Sequence, residues 1–110
     1  MNGVSMTLDR IILTTIDSRD AAQKIARALV EQRLAACVNI VGPIESIYRW
    51  EKKVETSSEF LLLVKTTAAQ FPAVRDALKR LHSYELPECI SLAIDDGSRE
   101  YLQWIESSVG

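Results

Sequence analysis

The stretch IESIYRWEKKVETSSEFLLLVKTT, Ile44 to Thr67, decides the fold. Its first run alternates, with Tyr48 and Trp50 on one side and Arg49 between them. Its second run, Phe60-Leu61-Leu62-Leu63-Val64, is unbroken apolar. Period-two alternation marks a strand with one buried face, and a five-residue apolar run marks a strand buried on both. Between them Glu51-Lys52-Lys53 is polar enough to reverse in water, although it lacks the Asn-Gly or Asp-Gly pair of the tightest hairpins. The two runs read as one long β-hairpin, able to project beyond a small domain and reach a neighbouring molecule.

Immediately upstream, Cys37-Val38-Asn39-Ile40-Val41 has strand spacing and runs into Gly42-Pro43. Proline donates no ladder hydrogen bond, and the apolar phase slips between Ile44 and Ile47, so a bulge on an edge strand is expected. Arg10 to Thr15 is a short β-rich run suited to a central strand. Asp17 stands as the N-cap of a helix over 18–34, with Asp20 in its first turn and Ala22, Ile25, Ala26, Leu29, Val30 and Leu34 at helical spacing. Downstream, Thr67 to Gln70 has the spacing of a capping box, and Phe71, Val74, Leu78 and Leu81 continue as a second amphipathic helix over 68–81. His82 to Pro87 reads as a loop, Glu88 to Ile94 as a strand and Asp95-Asp96-Gly97 as a turn. Ser98 then caps a last helix through Tyr101, Leu102 and Ile105. The order β-α-β-β-α-β with an extra C-terminal helix is α+β, the ferredoxin-like split βαβ pattern. Residues 1–8 read as a flexible leader and 9–110 as one domain.

Composition narrows the function classes. The 110 residues suffice for one core without metal or disulfide staples, so no cofactor is expected to be required for folding. Thirteen basic against fifteen acidic residues give a net charge of −2 with no basic block, which argues against a nucleic-acid surface. No apolar run approaches the roughly 20 residues that span a bilayer, and the N-terminal residues lack the pattern of a secretory signal. A cytoplasmic location is expected, with both cysteines free. Four glycines without a GxxxxGK pattern leave no phosphate loop, and a lone histidine without a nucleophile partner leaves no hydrolase constellation. The protein is expected not to be an enzyme.

In the usual 4-1-3-2 strand order of this fold, the Cys37 and Cys89 strands lie at opposite sheet edges. Three strand spacings separate them by about 14 Å, too far for a disulfide within one subunit. Two unpaired edges are an aggregation hazard unless covered. Pairing one subunit's first edge with another's last is head-to-tail and closes as a ring, so a closed homo-oligomer is expected.

Leu34-Ala35-Ala36-Cys37, the run from Tyr48-x-Trp50 through Glu59 to Lys65-Thr66, and His82-x-Tyr84-Glu85-x-Pro87-Glu88 together resemble the CutA divalent-cation tolerance family, over residues 9 to 108. The resemblance implies a ferredoxin-like homotrimer, architecturally close to the PII signalling proteins. It implies a role in the response to divalent metal ions, with copper or another divalent metal as a candidate ligand and no enzymatic reaction. Lys52 replaces the glycine common at the family's hairpin tip, and Ser83 replaces the proline common after the histidine. Thr14 and Leu81 stand where some bacterial members carry a cysteine and a second histidine that bind copper, which leaves His82 of that set.

Two groups of candidate residues follow. His82, Cys89 and Cys37 are the candidate metal ligands, imidazole and thiolate being the donors copper favours. The structural alternative is two small apolar side chains and one cation at a helix C-terminus. Tyr48, Trp50, Glu59, Lys65, Tyr84, Glu88 and Trp104 are the candidate lining of a ligand cleft between subunits. Their structural alternative is aromatic area buried in an oligomer interface, with Glu59 and Lys65 as an ion pair. The functional alternative to metal tolerance is a PII-like trimeric sensor or scaffold binding a small ligand in that cleft. Partners expected are the chain itself and a metal ion or small ligand, with no nucleic acid and no membrane.

Overall fold

The computed structural model describes residues 7–110. The leader expected over residues 1–8 therefore lies mostly outside the described residues. Thr7 is tied down, since its hydroxyl donates to the carbonyl of Ile94 at 2.6 Å and accepts from the Asp9 N–H.

Strand β1 (Asp9–Ile16) pairs antiparallel with β3 (Lys53–Thr67), β3 with β2 (Cys37–Trp50), and β1 with β4 (Ile90–Ala93). The sheet order is β2-β3-β1-β4, the order expected from the sequence. Helices α1 (Arg19–Glu31) and α2 (Phe71–Leu81) pack on one face, and a single 3-10 turn at Ala68–Gln70 leads into α2. Helix α3 (Arg99–Ser108) closes the chain. Among the described residues, no helix is long and apolar enough to cross a membrane.

Alternation decides what is buried. Ile12 and Ile16 of β1 and Leu62 and Val64 of β3 point toward the helices, where they meet Ala22, Ile25 and Leu29 of α1 and Val74, Ala77 and Leu78 of α2. The opposite face of the same strands carries Leu13, Leu61 and Leu63, which are only half-buried. The run Phe60–Val64 is thus fully covered on one face, not two. Helix α3 reaches this second face at one end, where the Lys65 ammonium donates to the Tyr101 hydroxyl at 3.3 Å and Ile105 is buried.

The register shift expected at Gly42-Pro43 is present. Val41 opposes Leu61 and Ile44 opposes Glu59, so β2 spends three residues where β3 spends two. Side chains opposite one another share a face, and one extra residue inverts the parity of everything beyond it. Before the bulge the odd-numbered residues of β2 share a face with Leu61, Leu63 and Lys65; after it the even-numbered ones do, alongside Glu59. The bulge is what turns Tyr48 and Trp50 onto the Glu59 face. Gly42 is required here: at φ 156° a Cβ would stand 2.6 Å from the Phe60 ring and 3.0 Å from the Glu59 carbonyl oxygen.

Four helix ends differ from the sequence reading. Ser18, not Asp17, caps α1, its hydroxyl accepting the Ala21 N–H at 3.1 Å. The two residues are adjacent and equally competent, and the chain enters the helix one position later. Thr67 and Ser98 make no side-chain capping bond. Helix α1 ends at Glu31 rather than 34 because Arg33 turns left-handed (φ 59°), letting Leu34 N–H reach the Leu29 carbonyl at 2.9 Å and Arg33 N–H the Val30 carbonyl at 3.1 Å. This is a Schellman closure without glycine. The last strand is also shorter than expected, so Cys89 precedes β4 rather than lying in it.

Candidate functional site

His82 terminates α2 and is 8% exposed. Its Nε2 lies 2.7 Å from the Thr15 carbonyl oxygen, and its Nδ1 accepts the Tyr84 N–H at 3.1 Å. A nitrogen facing a carbonyl must carry the proton, and one facing an N–H must carry the lone pair. The ring is therefore a neutral brace tying β1 to the loop after α2, rather than a cation at the helix end. Both nitrogens are committed. The position of Leu81 beside it is exposed, and Thr14 is fully buried with its hydroxyl unpaired among the described residues.

The two thiols lie elsewhere. Cys37 opens edge strand β2, half-buried, 3.9 Å from Asn39 Oδ1. Cys89 packs partly against the core, and burial pushes its thiol up; Arg75 and Lys79 pull it down and Glu88 pushes it up. Both are free. Among the described residues no three His, Cys, Asp or Glu side chains converge on one point. The structure thus does not bring His82, Cys89 and Cys37 together within one chain.

The cleft residues behave differently. Tyr48, Trp50, Glu59, Tyr84 and Glu88 line one cavity of about 460 Å³, together with Thr15, Ser46, Glu85 and Leu86. Glu59 is its anchor. It is 6% exposed, and its Oε2 accepts the Tyr84 hydroxyl at 2.6 Å. Burial, and then this bond to Glu59, push the Tyr84 phenol well above the ordinary tyrosine range, so it remains a donor. Burial, and then the charge of Glu59, push the Glu88 carboxyl up. No Lys, Arg or His stands among the lining residues.

Lys65 and Trp104 are not part of this cavity. Lys65 follows Glu59 by six residues on the same strand, about 20 Å along it. It bonds Tyr101 instead, and Trp104 stacks on Tyr101 with ring centroids 5.4 Å apart. The Glu59–Lys65 ion pair does not form. Glu85, Leu86, Thr15 and Ser46 are not among the candidate lining residues named from the sequence. The first two sit in a loop without periodicity, and the others become neighbours only through strand pairing and the bulge.

These features can be set beside known proteins. Residues 10–108 match the family model of the CutA1 divalent ion tolerance protein. The chain is 48% identical over 103 residues to the divalent-cation tolerance protein CutA of Thermus thermophilus, covering 94% of this chain and 100% of that one. It is 42% identical over 98 residues to a chloroplastic CutA of Arabidopsis thaliana, of which it spans only 54%. Among solved structures, the Thermus thermophilus protein superposes with a TM-score of 0.91 at 49% identity, covering 93% of this chain and 99% of that one. A periplasmic divalent cation tolerance protein CutA of Archaeoglobus fulgidus superposes with a TM-score of 0.90 at 42% identity, over 93% and 99% of the two chains.

Proposed function

Because the chain belongs to the CutA1 divalent ion tolerance protein family, we propose that it acts in the response to divalent metal ions as a non-enzymatic homotrimer. The observation that carries this reading is the state of the sheet's edges. Strand β4 is an edge strand whose four residues are all exposed, with Ile90 and Leu92 each about half accessible, at 48% and 47%. The distal hairpin adds Ile47, Tyr48, Trp50 and Val54, also exposed. Exposed apolar area and an unpaired edge on a chain of this size mark a protein–protein interface. Joining the β2 edge of one copy to the β4 edge of the next is head-to-tail and closes as a ring. Sedimentation equilibrium tests it. A mass of about 37 kDa, three chains of 12.3 kDa, is expected, and a stable monomer overturns the proposal.

Within one chain the donors do not fit a copper centre, since both His82 nitrogens are committed and no thiol lies with it. Metal binding is therefore read as a property of the assembled ring, through Cys37 or Cys89 of neighbouring subunits. Titration of the trimer with Cu(I) and Cu(II) checks this. Stoichiometric binding lost in Cys37→Ala or Cys89→Ala supports it, and binding that survives both substitutions removes it.

A second reading, a PII-like sensor or scaffold that holds a small ligand in the cleft, is favoured by a specific observation. Five of the seven expected cleft residues line a single cavity of a size that accepts such a ligand.

A further inference from the structure

Elsewhere on the described surface, three aromatic rings are matched with cations. The Arg19 guanidinium lies 4.8 Å from the Phe60 ring centroid, the Lys65 ammonium 5.4 Å from that of Tyr101, and the Arg75 guanidinium 5.9 Å from that of Phe71. The cavity wall breaks this pattern. Among the described residues no cation stands over Tyr48, Trp50 or Tyr84, and three carboxylates, Glu59, Glu85 and Glu88, line the same space with no basic side chain. Glu59 is nearly fully buried. One of its oxygens, Oε2, is held by the Tyr84 hydroxyl. A buried carboxylate without a counter-charge is costly, and a nearby second carboxylate adds repulsion. Burial of Glu88 itself, and then the Glu59 charge, push the Glu88 carboxyl up.

We propose that this cavity binds an organic ammonium, its charge drawn to a wall that carries Glu59, Glu85 and Glu88 and its alkyl or aryl body held against Tyr48, Trp50 and Tyr84. The chemistry selects this class from its rivals. Anionic ligands such as nucleotides or carboxylates would meet three like charges and no basic group. A hard divalent cation such as Mg²⁺ or Ca²⁺ takes six or more oxygen ligands, and softer divalent ions take converging His, Cys or carboxylate donors; among the described residues no three such side chains converge, and three of the nine lining residues are aromatic. A cavity of about 460 Å³ suits a ligand of roughly ten heavy atoms or more, and ring faces attract ammonium groups within about 6 Å. The inference deepens the cleft reading given above. The lining residues all come from one chain, so the ligand class can be tested apart from the oligomeric state.

The test uses the full chain and benzyltrimethylammonium chloride, with sodium benzoate, benzyl alcohol and magnesium chloride as comparators at constant ionic strength. The chain has two tryptophans, so two indole N–H signals report by NMR, and Trp50→Phe assigns them. Saturable binding of the ammonium at one per chain, shifting the Trp50 indole and not that of Trp104, is the expected result. Glu88→Gln and Glu85→Gln should each weaken it several-fold to about tenfold, as loss of one partly desolvated charge implies. Equal binding of benzoate or benzyl alcohol overturns the proposal, as does an unshifted Trp50. Magnesium moving the Trp50 indole while the ammonium does not also overturns it, in favour of a metal site. The mass measured in the same sample separates the two readings: a trimer that ignores the ammonium loses only the ligand class, and a monomer that binds it loses only the trimer.

Discussion

Asp9 is fully buried at the start of β1, and among the described residues no N–H or hydroxyl donates to either of its carboxylate oxygens. Its neighbour Glu106, on α3, is pushed up first by a hydrogen bond with Asp9, then by burial and by the Asp9 charge. The Asp9 charge disfavours ionisation of the nearby Glu106 carboxyl. The sign follows from linkage. A folded-state pKa raised above its unfolded value of 4.5 gives stability that is present below that value and is lost as pH rises through the folded one. Asp9→Asn, which removes one charge and supplies an amide donor, should therefore raise the melting temperature at pH 7. The gain should shrink as pH falls toward 4.5, as thermal melts across that range would read; a gain independent of pH would refute the effect of Asp9 on Glu106. Thr14 is a neutral counterpart, fully buried with its hydroxyl unpaired among the described residues. Thr14→Val keeps the shape and removes the unmet hydroxyl, so it should stabilise by about 1 kcal/mol, measured by urea denaturation with an unchanged m-value.

At the scale of elements, the hairpin tip shows a local conformation at odds with its residues. Trp50 pairs with Lys53, leaving a two-residue turn in which Glu51 and Lys52 both adopt positive φ, 49° and 70°. That is the primed turn whose twist matches a right-handed ribbon, and it favours Asn and Gly. Lys52→Gly relieves the Cβ strain at the second position and should stabilise the hairpin by roughly 1 kcal/mol. Slower amide exchange at Val54 and Arg49 is the local readout, and unchanged exchange there would sink the argument. The same hairpin shows what the sequence could and could not disclose. Strand pairing was legible because alternation and the unbroken run at Phe60–Val64 admit few arrangements, and the phase slip near Pro43 revealed the bulge. The left-handed Arg33 that ends α1 was not legible. No glycine marks it, and the turn is held from afar, with the Arg33 guanidinium donating to the Gly110 and Ser107 carbonyls and the Gly110 N–H to the Arg33 carbonyl. The candidate site divides along the same line. Tyr48, Trp50, Glu59, Tyr84 and Glu88 could be named from the residues, whereas Glu85 and Leu86 join them only because the brace of His82 on Thr15 holds their loop against the sheet.

At the scale of the whole molecule, the sheet is sealed on one face and half open on the other. Leu62 and Val64 are fully buried beneath α1 and α2, while Leu61 and Leu63 beside them are not. Leu13 pairs with Ile90 and Ile11 with Leu92, so the half-open face continues directly into the exposed apolar residues of β4. A single chain leaves this surface in water, where each exposed leucine or isoleucine forgoes about 1 kcal/mol or more of burial. Assembly would cover it, and the edge residues are where a charge does most harm. Leu92→Lys places an ammonium at a β4 position that is 47% exposed in the isolated chain, so the subunit fold should tolerate it. The buried edge of a trimer should not, since an unpaired charge within an interface costs several kcal/mol. The expected outcome is a mass near 12.3 kDa with native circular dichroism and a melting temperature that no longer depends on protein concentration. A comparable charge on the helix side, such as Gln23→Lys on exposed α1, should leave the assembly intact. If Leu92→Lys remains a trimer of undiminished stability, the β4 edge is not the joint, and the contact must instead lie along the distal hairpin, where Ile47 and Val54 carry the other exposed apolar area.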